Sequence, residues 1–295
     1  SGAEAVEGAI KVARKFHSAS GNIERNEIIT FKNSFHGRTL ATLAAASNPL
    51  HTDGFSPIPD GFLNIPLDKD LLEKSITNKT AAILVEPVQG EGGINPIPDE
   101  FLVLIRKLCD ENNILMILDQ VQCGMGRTGK LFSHEWSGIE PDIITLAKGL
   151  GAGFPIGAVL SSDKASMGMS HGSHGSTFGG NPVGCSIALK VLDLIEEEDI
   201  LSNVNTASKL LFKELDRLVA KHHNKISGTR GRGLMIGVEC IEKNSIITDQ
   251  AFKQGLLLVN ASNNIIRLLP PLNISEVDIS EAVKKFDEAL SNLDI

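Results

Sequence analysis

The chain has no Cys-x-x-Cys pair. Its four cysteines, Cys109, Cys123, Cys185 and Cys240, lie far apart, so neither a zinc site nor a disulfide framework is indicated. Scattered free thiols fit a reducing cytosol. Basic residues are in the minority, 28 Lys+Arg against 36 Asp+Glu for a net charge of −8, and no basic stripe is present to hold nucleic acid. No apolar run reaches membrane-spanning length, and the opening residues lack the layout of a secretory leader. Internal repeats and low-complexity segments are absent. The chain also opens on Ser1 where an initiator Met would stand. What it does have is ordinary for a globular protein: 42% hydrophobic and 22% charged residues over a length of 295. That is enough for a large core in one big domain or two moderate ones.

Short apolar runs alternate with helical patterns, the mark of a mainly parallel sheet wrapped by helices, an α/β fold. Strands are expected at residues 27–32, 81–86, 114–119, 142–147 and 156–161. Helical spacing marks 67–76 and 100–112, then 183–197 behind Pro182, and 201–223 with Leu210, Leu211, Leu215, Leu218 and Val219 on one face. After that the texture changes to short strands (234–239, 256–259, 265–269) and a last helix over 275–293. This divides the chain into a large domain, residues 1–200, and a smaller C-terminal α+β domain, residues 201–295.

Two motifs invite a reading that their surroundings do not support. Gly124-Met125-Gly126-Arg127-Thr128-Gly129-Lys130 matches G-x-G-x-x-G and nearly completes a P-loop. Leu131 stands where a P-loop needs Ser or Thr for magnesium. A dinucleotide fingerprint needs its glycine turn directly off the strand and a helix directly after it. Here 120–123 intervene, and Gly138 and Pro141 soon interrupt any helix downstream. His171 and His174 in a Gly/Ser loop lack a third metal ligand, so they read more simply as loop polar groups.

A stronger constellation rests on separate positions that agree. Asp119 ends one expected strand and Lys148 ends the next, and ligands of open α/β sheets bind at the carboxyl ends of strands. A salt bridge is the bland reading of that pair. Yet Lys148 runs into Gly149-Leu150-Gly151-Ala152-Gly153, where glycines let backbone approach a bound group closely. Ser1-Gly2-Ala3 precedes an amphipathic helix expected over 5–16, whose free N–H groups form a cup for phosphate. A lysine, a carboxylate and a phosphate cup are the three grips that pyridoxal phosphate requires. Lys148 would bind its aldehyde, and Asp119 would keep its pyridine nitrogen protonated.

Seven segments, in order along almost the whole chain, resemble the class III pyridoxal-phosphate-dependent aminotransferases. They are residues 1–7, 34–39 (Ser-Phe-His-Gly-Arg-Thr), 85–93 (Val-Glu-Pro-Val-Gln-Gly-Glu-Gly-Gly), 118–129, 145–157, 174–182 and 267–272 (Arg-Leu-Leu-Pro-Pro-Leu). The resemblance implies a fold-type I transferase and assigns roles by position. Gly2 and Ala3 would give N–H groups to the cofactor phosphate, and Thr177 would reach the phosphate of a partner subunit, so the active site would require a homodimer. Phe35 would stack on the pyridine ring, a role that competes with a plain core phenylalanine. Val121 would cover the other face, Gln122 would bond the ring's phenolic oxygen, and Gln120, adjacent to these contacts, is taken as a further cofactor-binding residue. Arg38 would take a substrate carboxylate as a bidentate fork, and Ser176 would add a further substrate contact. Arg267 would clamp the α-carboxylate of 2-oxoglutarate and glutamate, with Glu91 neutralising it while the donor is bound. A structural ion pair is the alternative for Glu91 and Arg267.

The implied reaction is ping-pong transamination of N2-acetyl-L-ornithine with 2-oxoglutarate, with Lys148 as general base. It gives N-acetyl-L-glutamate 5-semialdehyde and L-glutamate in arginine biosynthesis. Ornithine, succinylornithine and 4-aminobutyrate are alternative donors, and a non-catalytic binding protein that retains the fold is the alternative outside enzymes. Two positions depart from the family pattern: Gln120 stands where a Glu is usual, and Ala152 interrupts an all-glycine run. The comparison also implies that an N-terminal segment is missing, so the 295-residue span is expected to be poorly stable or inactive by itself.

Overall fold

The computed structural model describes residues 1–46 and 48–293. Its elements in chain order are α1 (Gly2–Ala19), β1 (Glu27–Phe31), α2 (Leu40–Ala46), α3 (Pro49–Thr52), β2 (Phe62–Ile65), α4 (Lys69–Ser75), β3 (Thr80–Val85), β4 (Val88–Gln89) and β5 (Asn95–Pro96). Next come α5 (Asp99–Asn112), β6 (Leu115–Asp119), β7 (Ile143–Leu146), β8 (Ala158–Ser161), α6 (Asp163–Ser166), α7 (Pro182–Glu197) and α8 (Ile200–Lys221). The last are β9 (Ile226–Arg232), β10 (Met235–Cys240), α9 (Asn244–Lys253), β11 (Val259–Ala261), β12 (Ile265–Leu268) and α10 (Glu276–Ser291).

They assemble into two compact units. Unit 1 takes Ser1–Pro87, Ile97–Met125 and His134–Asp193. Its sheet runs β2-β1-β3-β6-β7-β8, parallel except for β8, which pairs antiparallel with β7. A sheet covered on both faces needs strands that are apolar throughout, and β3 and β6 are buried at every position. Alternate residues then serve opposite faces. Ile83, Val85, Met116 and Leu118 pack with Leu102, Ile105 and Leu108 of α5. Ala82, Leu84, Leu115 and Ile117 pack with Val6, Ala9, Ile10, Ala13 and Phe16 of α1.

The sequence places α1 too late. It starts at Gly2 because Ser1 caps it: the Ser1 hydroxyl accepts from the Glu4 N–H while the Glu4 carboxylate reaches back to the Ser1 nitrogen. Edge strand β2 is not anticipated, since its Leu63 is exposed and the run is only four residues long.

Unit 2 takes Val88–Pro96, Gly126–Ser133 and the described chain from Leu194 onward. The expected division at residue 200 differs from this: unit 2 starts slightly earlier and draws in two short segments from the first half of the chain. Its sheet, β11-β12-β10-β9, is antiparallel. Strand β9 carries Gly228, Gly231 and two arginines, which hide it from an apolar-run search. Val204, Leu211, Leu215 and Leu218 of α8, with Val283, Phe286 and Leu290 of α10, supply the buried helix faces. Buried Lys225 donates to the carbonyls of Leu290 and Leu293 at 2.6 and 2.8 Å, closing the C-terminal end of α10.

In unit 1, Asp142 accepts from the Met116 N–H at 2.8 Å and from Arg106 at 2.7 Å, tying α5 to the start of β6. Both side chains are nearly buried; removing the carboxylate leaves the Met116 amide unanswered and Arg106 with only the exposed Asp110, at 2.7 Å, as its ion-pair partner. Asp142→Ala should therefore destabilise unit 1 by roughly 2–4 kcal/mol, read as a lower urea midpoint; an unchanged midpoint would exclude this role.

Candidate active site

The parallel strands β6 and β7 end at Asp119 and just before Lys148, and both residues open on one cavity of about 430 Å³ in unit 1. Ser1, Gly2, Ala3, Phe35, Arg38, Val121 and Gln122 line it as well. Residues distant in sequence thus converge at the carboxyl edge of the sheet, where a parallel α/β sheet leaves its crevice.

Asp119 is buried and fully engaged on its protein side. One carboxylate oxygen accepts from His36 Nδ1 at 2.8 Å; the other accepts from the Val121 N–H at 3.0 Å and the Thr145 hydroxyl at 3.3 Å. Burial by itself pulls the His36 imidazole pKa down, but its hydrogen bond to Asp119, the charge of Asp119 and that of Glu86 outweigh it, and the net shift is upward. The His36 Nε2 is buried with no hydrogen-bond partner among the described residues. Glu86, also buried, accepts from the Phe35 N–H at 2.8 Å and so fixes the loop that carries Phe35 and His36.

Lys148 sits on a single 3₁₀ turn, Lys148–Gly151, with φ of 40°. A non-glycine residue held left-handed costs about 1–2 kcal/mol. The turn bonds Leu150 N to Ala147 O and Ala152 N to Gly149 O, which holds the lysine at the cavity rim against that strain. Ala152, the departure from the all-glycine run, also lies at positive φ, 45°.

At the other side of the cavity the first turn of α1 presents the Gly2 and Ala3 amides, which have no acceptor within the helix. A Cβ on Gly2 would lie 2.7 Å from a Val121 methyl, so a side chain there would drive into the cavity wall. Arg38 is exposed, 3.2 Å from His51 Nε2 and over the Phe35 ring at 5.4 Å.

Of the residues singled out from sequence, Lys148, Asp119, Gly2, Ala3, Phe35, Arg38, Val121 and Gln122 all line this one cavity. Gln120 does not: it is buried, and its amide reaches His134 Nδ1 at 2.9 Å. Gln120 is the first residue past β6; its N–H donates to the Thr145 carbonyl at 3.0 Å, which carries the strand's alternation one residue further and turns its side chain away from Asp119. Thr177 and Ser176 lie on an exposed loop, and Ser176 lines a second cavity of about 850 Å³ in unit 1. Glu91 and Arg267 belong to unit 2, where they form an ion pair at 2.5 Å. Sequence reading missed His36 and Glu86, although both lie inside the family-like motifs; a buried polar residue carries no periodic signal.

If Asp119 is what raises the His36 pKa, Asp119→Asn leaves burial to dominate. The His36 imidazole should then titrate below its ordinary value, measured by NMR; an unshifted titration would contradict the pairing.

The chain matches the model of the class-III aminotransferase family over residues 1–290. It is 47% identical to acetylornithine aminotransferase of Brucella melitensis, covering 100% of this chain and 73% of that protein. It is also 47% identical to the enzyme of the same name from Methanocaldococcus jannaschii, covering 99% and 74%. Among solved structures, ornithine aminotransferase from Toxoplasma gondii, described with partial pyridoxal phosphate occupancy, superposes with a TM-score of 0.94 at 31% identity, covering 98% of this chain and 71% of that one. N-acetylornithine aminotransferase from Stenotrophomonas maltophilia gives 0.84 at 36% identity, covering 99% and 73%. Matched along nearly its whole length in sequence and in fold, the chain belongs to the class-III aminotransferase family.

Proposed function

We propose that this chain is a pyridoxal-phosphate-dependent aminotransferase that moves the terminal amino group of N2-acetyl-L-ornithine to 2-oxoglutarate. The observation that carries the reading is the convergence of Asp119, Lys148 and the N-terminal turn of α1 on one cavity. These groups fit the cofactor in chemistry. Asp119 has its carboxylate fixed by three donors and still faces the cavity, so an acceptor is available for a protonated ring nitrogen. Lys148 offers an amine for an aldehyde carbon. The unpaired Gly2 and Ala3 amides at a helix N-terminus suit a phosphate dianion.

Pyridoxal phosphate, when bound, supplies a conjugated ring that withdraws electrons from the carbon bearing the amino group. The protein's side chains do the rest. Asp119, anchored by His36 and Thr145, would hold a protonated ring nitrogen with its carboxylate. Phe35 and Val121 wall the cavity with apolar surface, and Gln122 offers an amide there. Lys148, whose amine would hold the cofactor's aldehyde carbon, would also be the base that takes the proton from the substrate carbon bearing the amino group and holds it on its Nζ. Arg38, on the exposed rim, offers a planar fork for a substrate carboxylate. Arg267 serves the α-carboxylate of 2-oxoglutarate, and Glu91, already paired with it, occupies that guanidinium when the donor needs no such grip.

Arginine biosynthesis in the cytoplasm is the setting proposed, consistent with four free cysteines. Among the described residues, no helix is long and apolar enough to cross a membrane. A homodimer is part of the proposal: Ser176 and Thr177 stand on an exposed loop with no cavity contact to Lys148 in their own chain, which suits service to a second copy.

Lys148→Ala should lower kcat by about 10³-fold or more, and Asp119→Asn by about 10²–10⁴-fold. Near-normal turnover in Lys148→Ala would sink the catalytic assignment. A donor panel of acetylornithine, ornithine, succinylornithine and 4-aminobutyrate against 2-oxoglutarate should show the highest kcat/KM for acetylornithine; a clear preference for ornithine would move the chain to the activity named for the Toxoplasma relative.

A further inference from the structure

The glycine-rich run at 124–130 contributes no residue to the cofactor cavity's lining, and its residues 126–130 belong to unit 2. Gly126 and Gly129 adopt φ of 84° and 91°, bending the segment into a tight turn. A Cβ on Gly129 would fall 2.4 Å from Asn205 Oδ1, while Asn205 Nδ2 donates to the Gly129 carbonyl at 2.9 Å. The turn between β9 and β10 presses against the same segment: a Cβ on Gly233 would lie 2.4 Å from the Thr128 carbonyl carbon. The run is therefore fixed in place, and it presents Arg127.

Strands β10 and β12 pair with Ile236 opposite Leu268 and Gly237 opposite Arg267. Extended by two residues, that register sets Leu234 opposite Pro270. The ladder cannot continue there, because Pro270 and Pro271 carry no N–H. Arg127 takes over. Its Nη1 donates to the Leu234 carbonyl at 3.1 Å and to the Pro270 carbonyl at 2.6 Å, and its own carbonyl accepts from the Leu234 N–H at 3.0 Å. Among the described residues no carboxylate pairs with it, and burial alone pushes the guanidinium pKa down to about 10. A buried cation with only carbonyl partners is poorly explained as an ion pair and well explained as a two-pronged donor.

We propose that Arg127 is a positioning residue for Arg267, replacing the missing rung between β10 and β12 and so holding the strand end from which Arg267 binds the α-carboxylate of the amino acceptor. The proposal rests on reading Arg267 as the grip for that carboxylate. Arg267 lies one residue before the end of β12 and three before Pro270, so a frayed end would displace its guanidinium. Displacements near 1 Å suffice to weaken an oriented contact substantially.

The test compares Arg127→Met, Arg127→Lys and Arg267→Met in the purified protein loaded with pyridoxal phosphate. The half-reaction with acetylornithine is followed separately from that with 2-oxoglutarate. Arg127→Met should raise KM for 2-oxoglutarate by about tenfold or more, leave the acetylornithine constant within about twofold, and speed amide exchange at Leu268 and Leu269. Arg127→Lys, whose ammonium can still donate to two carbonyls, should recover most of the loss. An unmoved KM in Arg127→Met, or equal losses for both substrates together with a lower Tm, would overturn the proposal. Should Arg127→Met not fold, Arg127→Gln carries the same comparison with a smaller expected rise. Arg267→Met separates the two readings. If it leaves KM for 2-oxoglutarate unmoved, the carboxylate assignment has failed and takes this proposal with it; if it raises KM while Arg127→Met does not, only the positioning role falls.

Discussion

The structure turns on one buried carboxylate. Asp119 ends the most buried region of the sheet, and an ion in that setting is tolerable only if its lone pairs are answered. His36, the Val121 N–H and the Thr145 hydroxyl answer it from three different parts of the chain. In doing so they draw the Phe35–Arg38 loop, the bend after β6 and strand β7 toward a single point. The cavity is what remains between them. Its walls are consequences of satisfying that charge, and Glu86 extends the arrangement by holding the Phe35 backbone.

Beside this fixed acid, the lysine proposed to carry the chemistry is held under strain. Lys148 occupies a left-handed conformation that its side chain disfavours, and the turn behind it maintains the geometry. An apolar interior and a parallel sheet supply the rigidity to sustain that strain. Unit 2 solves a separate problem. It keeps Glu91 and Arg267 paired, so that a strong cation is neutralised within the unit. Its small sheet is finished by a side chain where prolines end the backbone ladder.

Legibility in the sequence followed the physics of each feature. Asp119 and Lys148 could be read because strand ends are visible in apolar periodicity, and a strand end in a parallel sheet has a functional meaning. Residues lining the cavity by backbone position, Gly2 and Ala3, were readable as a helix start, although the Ser1 cap moved that start three residues earlier than the apolar pattern implied. His36 was not readable in the same way, since its place beside Asp119 depends on a pairing across 83 positions. Gln120 shows a different gap: adjacency to contact residues suggested a cofactor role, and in the structure its amide reaches His134 and it does not line the cavity. The G-x-G-x-x-G run looked like a nucleotide motif because its glycines serve turns, and a turn has the same signature whatever it carries.

The central claim is that Lys148 is the amine that holds pyridoxal phosphate in this chain. Incubation of the purified protein with the cofactor, reduction with borohydride and peptide mapping tests it most directly. The cofactor mass is expected to become covalently fixed on Lys148 and on no other lysine. A stable protein that yields no adduct, or an adduct on a different lysine, would contradict it.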